Sequence, residues 1–180
     1  MDQLPIDHFV KAGQFTRVNH RDVYPAVDPS SPALSTSQAG KVIVITGASK
    51  GIGRKGFAAS FARAGAKALV LIARSASSLA ETAADIKAID PNVETLVIPT
   101  DINDEVSVDA AFAKIKKEYG SADVLISNAA VLGPPQKLGD IDIKSWWSDF
   151  VSAPLRIRSP FILSHTPARK KDQRSEFDRK

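Results

Sequence analysis

The segment Thr46-Gly47-Ala48-Ser49-Lys50-Gly51-Ile52-Gly53 is where residue types and spacing point most directly to chemistry. Its three glycines permit a tight turn and let a ligand approach backbone atoms that a Cβ would cover. A turn of this kind opening a helix offers unpaired N–H groups and the positive end of the helix dipole, which suits a diphosphate. Three chemistries use such segments. A P-loop requires Gly-x-x-x-x-Gly-Lys-Ser/Thr, and counting from Gly47 puts Ile52 where the second glycine must stand. A nucleophile elbow, Gly-x-Ser-x-Gly, is matched by Gly47-Ala-Ser49-Lys-Gly51, but it needs a later acid and histidine, and the only later histidine is His165. Dinucleotide binding is the third, and it accounts for Thr46 and Lys50 beside the glycines, which a plain chain reversal does not.

The flanking elements supply the context this reading needs. Val42-Ile43-Val44-Ile45 is a continuous β-branched run, as expected for a strand buried on both faces. Phe57, Phe61 and Ala64 follow at helical spacing, with Gly65 as the expected C-cap. Ala68-Leu-Val-Leu-Ile72 reads as a second strand. A helix over Ser77–Ile89 places Leu79, Ala83, Ile86 and Ile89 on one face, and Val93–Ile98 reads as a third strand. Asn103 is the expected cap of a third helix carrying Val108, Phe112, Ile115 and Tyr119, which ends at Gly120. Val124-Leu-Ile126 makes a fourth strand. Strands alternating with helices predict an α/β fold: a Rossmann-like, doubly wound parallel sheet, incomplete at about four strands, in the order 3-2-1-4.

With these elements in place, Thr-Gly-x-x-x-Gly-Ile-Gly resembles the cofactor fingerprint of the short-chain dehydrogenase/reductase family. Asp101-Ile102 after the third strand is similar to that family's adenine-contacting acid and its apolar neighbour. Ser127-Asn128-Ala129-Ala130 is similar to its Asn-Asn-Ala-Gly segment, with Ser for the first Asn and Ala for the final Gly. Tyr119-Gly-Ser-Ala-Asp123 is also typical, and the resemblance spans about 41–150. It implies a nicotinamide dinucleotide held by Thr46, Gly47, Ser49, Lys50, Gly51, Ile52, Gly53, Asp101, Ile102, Asn128, Ala129 and Ala130. It also implies hydride transfer between that cofactor and a small-molecule carbonyl or alcohol in full-length relatives.

The end of the second strand bears on which cofactor is held. A carboxylate there accepts hydrogen bonds from the ribose 2′-OH of NAD and repels a 2′-phosphate. This chain has Ile72-Ala73-Arg74-Ser75, with no carboxylate. Arg74 has the fork geometry for a phosphate, Ser75 adds a donor, and Lys50 matches a second basic position of NADP-preferring relatives. NADP is therefore expected over NAD.

The resemblance also implies a Tyr-x-x-x-Lys pair as acid/base machinery, which this sequence lacks. Tyr24 is followed four residues later by Asp28, and Tyr119 by Asp123. No catalytic residue of the family set is assigned, and the expected helix from Asp142 runs into Val151-Ser-Ala-Pro without the assisting Asn. The chain reads as a truncated cofactor-binding half at 41–150, preceded by an extension or linker at 1–40 and followed by an unrelated tail at 151–180. A Val-Ser junction there suits a translated intron or shifted frame. An oligomer is doubtful for such a half, whose fourth strand would leave an open edge that invites aggregation.

Charge and composition fit this division. The net charge of +4 separates into −1 over the first 150 residues and +5 over 151–180, which holds eight basic and three acidic groups. The absence of cysteine excludes disulfides, thiolate metal sites and cysteine nucleophiles, and three scattered histidines (His8, His20, His165) make no metal cluster. The first residues lack the apolar core of a secretory leader, and no apolar run approaches the ~20 residues of a membrane helix. A cytoplasmic protein with no membrane partner is expected. Two other functions remain open at this point: a non-catalytic nucleotide-binding or regulatory module, and an anionic-surface or nucleic-acid binder acting through the basic tail. No specific nucleic-acid partner is expected, because the tail lacks interleaved aromatics for base stacking.

Overall fold

The computed structural model describes residues 22–130, 137–144 and 146–147. The basic segment 151–180, residues 1–21 and all three histidines lie outside the described residues. Among the described residues four strands form one parallel sheet: β1 (Val42–Thr46), β2 (Ala68–Ala73), β3 (Glu94–Pro99) and β4 (Val124–Ile126), in the order β3-β2-β1-β4. Parallel pairing aligns Ile45 with Leu71 and Ile126, and Leu71 with Val97. This is the expected incomplete, Rossmann-like doubly wound sheet.

The helices lie where the crossovers require. The first, α1, begins as a π-helical stretch, Ile52–Ala58, and continues without a break as α-helix, Ala59–Arg63. It is followed by α2 (Ala76–Ile89) and α3 (Glu105–Tyr119). Side chains alternate across the pleat, so each strand feeds two cores. On one face Ile43, Ile45, Leu69 and Leu71 pack with Ala58 and Ala62 of α1 and with Leu79 and Ile86 of α2. On the other Val42, Val44, Val70, Ile72 and Ile98 pack with Ala111 and Ile115 of α3. Coverage on both faces explains why β1 and β2 read as unbroken apolar runs and are buried at every position.

One local detail differs from the sequence reading. Asp104, not Asn103, caps α3: its carboxylate accepts from the Val106 N–H at 3.2 Å and from the Ser107 hydroxyl. Asn103 is diverted into an Asx-type turn, donating its backbone N–H (3.0 Å) and its side-chain amide (3.2 Å) to Asp101 Oδ1. The described part of the loop region before β1 is a chain of turns that packs on the end of α1, where the Gln38 N–H donates to Ala64 O at 3.0 Å. At the far end of the sheet, Asp123 holds the start of β1 twice, accepting from Val42 N–H through Oδ2 (2.7 Å) and donating its own N–H to Val42 O (2.8 Å). Among the described residues no helix is long and apolar enough to cross a membrane, and no group of three His, Cys, Asp or Glu could hold a metal.

Candidate functional site

The chain winds outward from β1 to β3 and returns to place β4 beside β1, so the direction of winding reverses between β1 and β4. In open α/β sheets a crevice forms outside the carboxyl ends of the strands at such a point. The residues singled out from the sequence gather there. Thr46 ends β1, Arg74 and Ser75 follow β2, Asp101 and Ile102 follow β3, and Asn128, Ala129 and Ala130 follow β4. A cleft is lined by Ala73, Arg74, Thr100, Asp101, Ile102, Asn103, Ala129 and Ala130.

Thr46, fully buried, is the knot of this site. Its hydroxyl donates to Ile126 O (3.3 Å) and accepts from the backbone N–H groups of Asn128 (3.1 Å) and Ala129 (3.0 Å). Asn128 returns the contact through its side-chain amide, which donates to Thr46 O at 3.0 Å and more weakly to Gly47 O at 3.4 Å. The ends of β1 and β4 are thereby locked together although only three residue pairs join the strands.

The glycines meet three different demands. Gly47 has φ +66, and a Cβ there would stand 2.9 Å from Ala129 Cα. Gly53 is a close-packing site, where a Cβ would fall 2.2 Å from Gly47 O and 2.8 Å from the Asn128 amide nitrogen. Gly51, at φ 56 and ψ −136, faces open space. Beside it Lys50 and Ile52 are exposed, Ile52 at 70 %, an unusual degree for an isoleucine in a structured turn.

Across the cleft, Arg74 is exposed and has no acidic partner among the described residues. Ser75 caps α2: its hydroxyl accepts from the Ser78 N–H (3.3 Å) and lies 3.1 Å from the hydroxyls of Ser77 and Ser78. Three serine hydroxyls thus cluster at the N-terminus of α2 beside Arg74. Asp101 spends one carboxylate oxygen on the Asn103 turn, and Ile102 packs half-buried against the α3 side of the core.

Neither described tyrosine stands in the crevice. Tyr119 closes α3 against that same side of the core, and burial first, then the nearby Glu94 and Glu118 carboxylates, push its phenol above the usual tyrosine range. Tyr24 lies in the loop region before β1. Sequence reasoning missed Thr100, whose buried hydroxyl donates to Ile98 O, and Thr82, fully buried on α2 with its hydroxyl on Ala48 O at 3.0 Å. A threonine among leucines and isoleucines at helical spacing gives no sign of the Thr82 contact.

A family model described as short chain dehydrogenase matches residues 41–174, running past residue 150 into the segment expected to be unrelated. The chain is 38% identical over 154 residues to the short chain dehydrogenase pigC of Monascus ruber, covering 83% of this chain and 48% of that protein. Among solved structures, L-sorbose reductase from Gluconobacter frateurii, complexed with NADPH and L-sorbose, superposes with a TM-score of 0.61 at 31% identity, over 72% of this chain and 49% of that one. Carveol dehydrogenase from Mycobacterium avium, in complex with NAD, gives 0.55 at 28% identity, over 62% and 43%. The chain spans about half the length of the curated relatives it matches.

Proposed function

The chain belongs to the short chain dehydrogenase family, and on that premise we propose that its crevice holds NADP as part of an oxidoreductase acting on a carbonyl or alcohol. The residues fit that group. Gly51 leaves the turn open on the ligand side, while Gly47 and Gly53 let the backbone close up behind it. In this reading the backbone from Ser49 to Gly53 receives the diphosphate at the start of α1, with Thr46 and Gly47 setting the turn beneath it. Asp101 and Ile102 flank the adenine, and Asn128, Ala129 and Ala130 form the wall nearest the reacting end. When bound, the dinucleotide supplies the hydride carrier.

The observation that carries the NADP assignment is Arg74. It stands exposed at the cleft rim after a strand that ends without a carboxylate, and it has no acidic partner among the described residues. A planar guanidinium binds a phosphate through two parallel hydrogen bonds, and the serine cluster at the start of α2 adds donors on the same side. Carbonyl reduction also needs a proton donor. With no Tyr-x-x-x-Lys in this sequence, this chain holds and orients the cofactor, as the cofactor-binding half of a longer reductase.

The test is Arg74→Asp, with dissociation constants for NADPH and NADH measured by titration. Wild type is expected to favour NADPH by about tenfold or more, the scale of one charged hydrogen-bond pair. The variant should lose or reverse that preference, and an unchanged ratio overturns the assignment. The missing Tyr-x-x-x-Lys favours a second reading, a nucleotide-binding module without turnover. Both readings give tight NADPH binding without oxidation by this chain alone; oxidation across a panel of carbonyl compounds would overturn the second.

A further inference from the structure

Thr82 has no part in the dinucleotide fingerprint, yet its hydroxyl is tied into the glycine turn. It sits on the buried face of α2 between Leu79 and Ile86, fully enclosed. Valine would fill that volume without bringing a polar atom into the core, and a buried hydroxyl is costly unless it is hydrogen-bonded. The hydroxyl has two acceptors in reach: Ser78 O in its own helix (3.1 Å) and Ala48 O, 34 residues away in the turn (3.0 Å).

The second contact fixes more than one oxygen. All described peptides are trans, so the C=O of Ala48 and the N–H of Ser49 point in opposite directions across one rigid plane. Drawing Ala48 O toward the core turns the Ser49 N–H away from it. The preceding peptide is held on both sides as well: Ala48 N–H donates to Ile72 O (3.2 Å), and Gly47 O accepts from the Asn128 amide (3.4 Å). Three anchors from β2, α2 and the segment after β4 thus set consecutive peptide planes at the base of the turn.

We infer that Thr82 is a positioning residue that orients the Ala48–Ser49 peptide for the diphosphate of a bound dinucleotide. This inference rests on the cofactor reading given above. Thr82 touches no ligand and acts only through the turn.

The test compares two ligands that share an adenosine 2′-phosphate and differ in the diphosphate: NADPH, and adenosine 2′-monophosphate, which has no phosphate on its 5′-oxygen. Thr82→Val keeps the volume and removes the donor. It is expected to raise the NADPH dissociation constant about tenfold, the scale of one buried hydrogen-bond partner lost. Binding of the 2′-monophosphate should stay within about twofold, and Thr82→Ser should restore NADPH binding. Ile86→Val, which trims the same core without touching the turn, should lower the melting temperature and leave both constants unchanged. If Thr82→Val melts below the assay temperature, Thr82→Cys carries the same comparison with a weaker donor. The inference is overturned if Thr82→Val binds NADPH as wild type does, or if both ligands weaken alike. Failure of wild type to bind NADPH would instead refute the cofactor reading, and this inference with it.

Discussion

Gly53→Ala is the substitution whose outcome the geometry fixes most tightly. The added Cβ would lie 2.2 Å from Gly47 O, 2.9 Å from Gly47 C and 2.8 Å from the Asn128 amide nitrogen. Carbon and oxygen do not approach within 3 Å without a bond, so Gly47 O must retreat by about an ångström. It has no room to do so: the next residue is tied to β2 through Ala48 N–H and to α2 through Ala48 O, and the preceding one is buried in β1. Overpacking of this kind costs roughly 1–3 kcal/mol. Displacing the Asn128 amide from Thr46 O adds about 1 kcal/mol. A total near 3 kcal/mol lowers the melting temperature by roughly 6–12 °C in a chain of this size.

Gly56→Ala, three residues along, provides the contrast. Its Cβ would meet only Ile52 Cγ2, at 3.2 Å, the branch methyl of an exposed side chain that has to give by no more than a few tenths of an ångström. Alanine at a helical position then stabilises by up to about 1 kcal/mol. Thermal unfolding of both variants, followed by circular dichroism, decides the matter. A Gly53→Ala protein melting within 2 °C of wild type, or a Gly56→Ala protein falling as far as Gly53→Ala, refutes the close-packed turn.

Two further outcomes follow from the same structure. Thr46→Val removes the donor to Ile126 O and the acceptor for two backbone N–H groups in a fully buried setting, so it should cost about 3 kcal/mol and loosen the β1–β4 junction. Hydrogen exchange at the Asn128 and Ala129 amides should accelerate, and unchanged protection would contradict the role given to Thr46. Stability should also fall in acid. The Asp104 carboxyl is held below its ordinary range, first by the Ser107 hydroxyl and then by backbone N–H groups, and Asp85 is lowered mainly by its hydrogen bond from Arg54. Groups whose pKa is depressed on folding contribute fully above the unfolded value and lose that contribution as pH falls through the folded one. The decline should therefore set in below about pH 4, and Asp104→Asn should flatten it.

The sheet was legible because its strands are buried on both faces. Val42–Ile45 and Ala68–Ile72 carry no alternation, and only a parallel sheet between helical layers accounts for such runs joined by helices. The strand order then follows from the few connections that βαβ units permit. Individual hydrogen bonds were not legible. Asn103 and Asp104 are both good helix caps, and the choice fell to Asp104 because Asp101 draws Asn103 into a turn of its own. The π-helical start of α1 leaves no mark in apolar spacing, since Phe57 and Phe61 pack on the core in either geometry. Within the candidate site the glycines, Arg74 and Asn128 were recognisable from residue type and place. Thr82 was not, because what sets it apart is an acceptor 34 residues away.

The central claim is that the crevice at the carboxyl ends of β1, β2, β3 and β4 binds a phosphorylated nicotinamide dinucleotide. Amide hydrogen exchange of the full chain with and without saturating NADPH tests binding and place together. Slower exchange should appear at residues 47–53, 74–75, 101–102 and 128–130, and NADH at the same concentration should protect 74–75 less. Saturating NADPH that leaves these segments unchanged, or protects only the groove between α1 and α2 lined by Lys55, Arg63 and Ile89, would contradict the account.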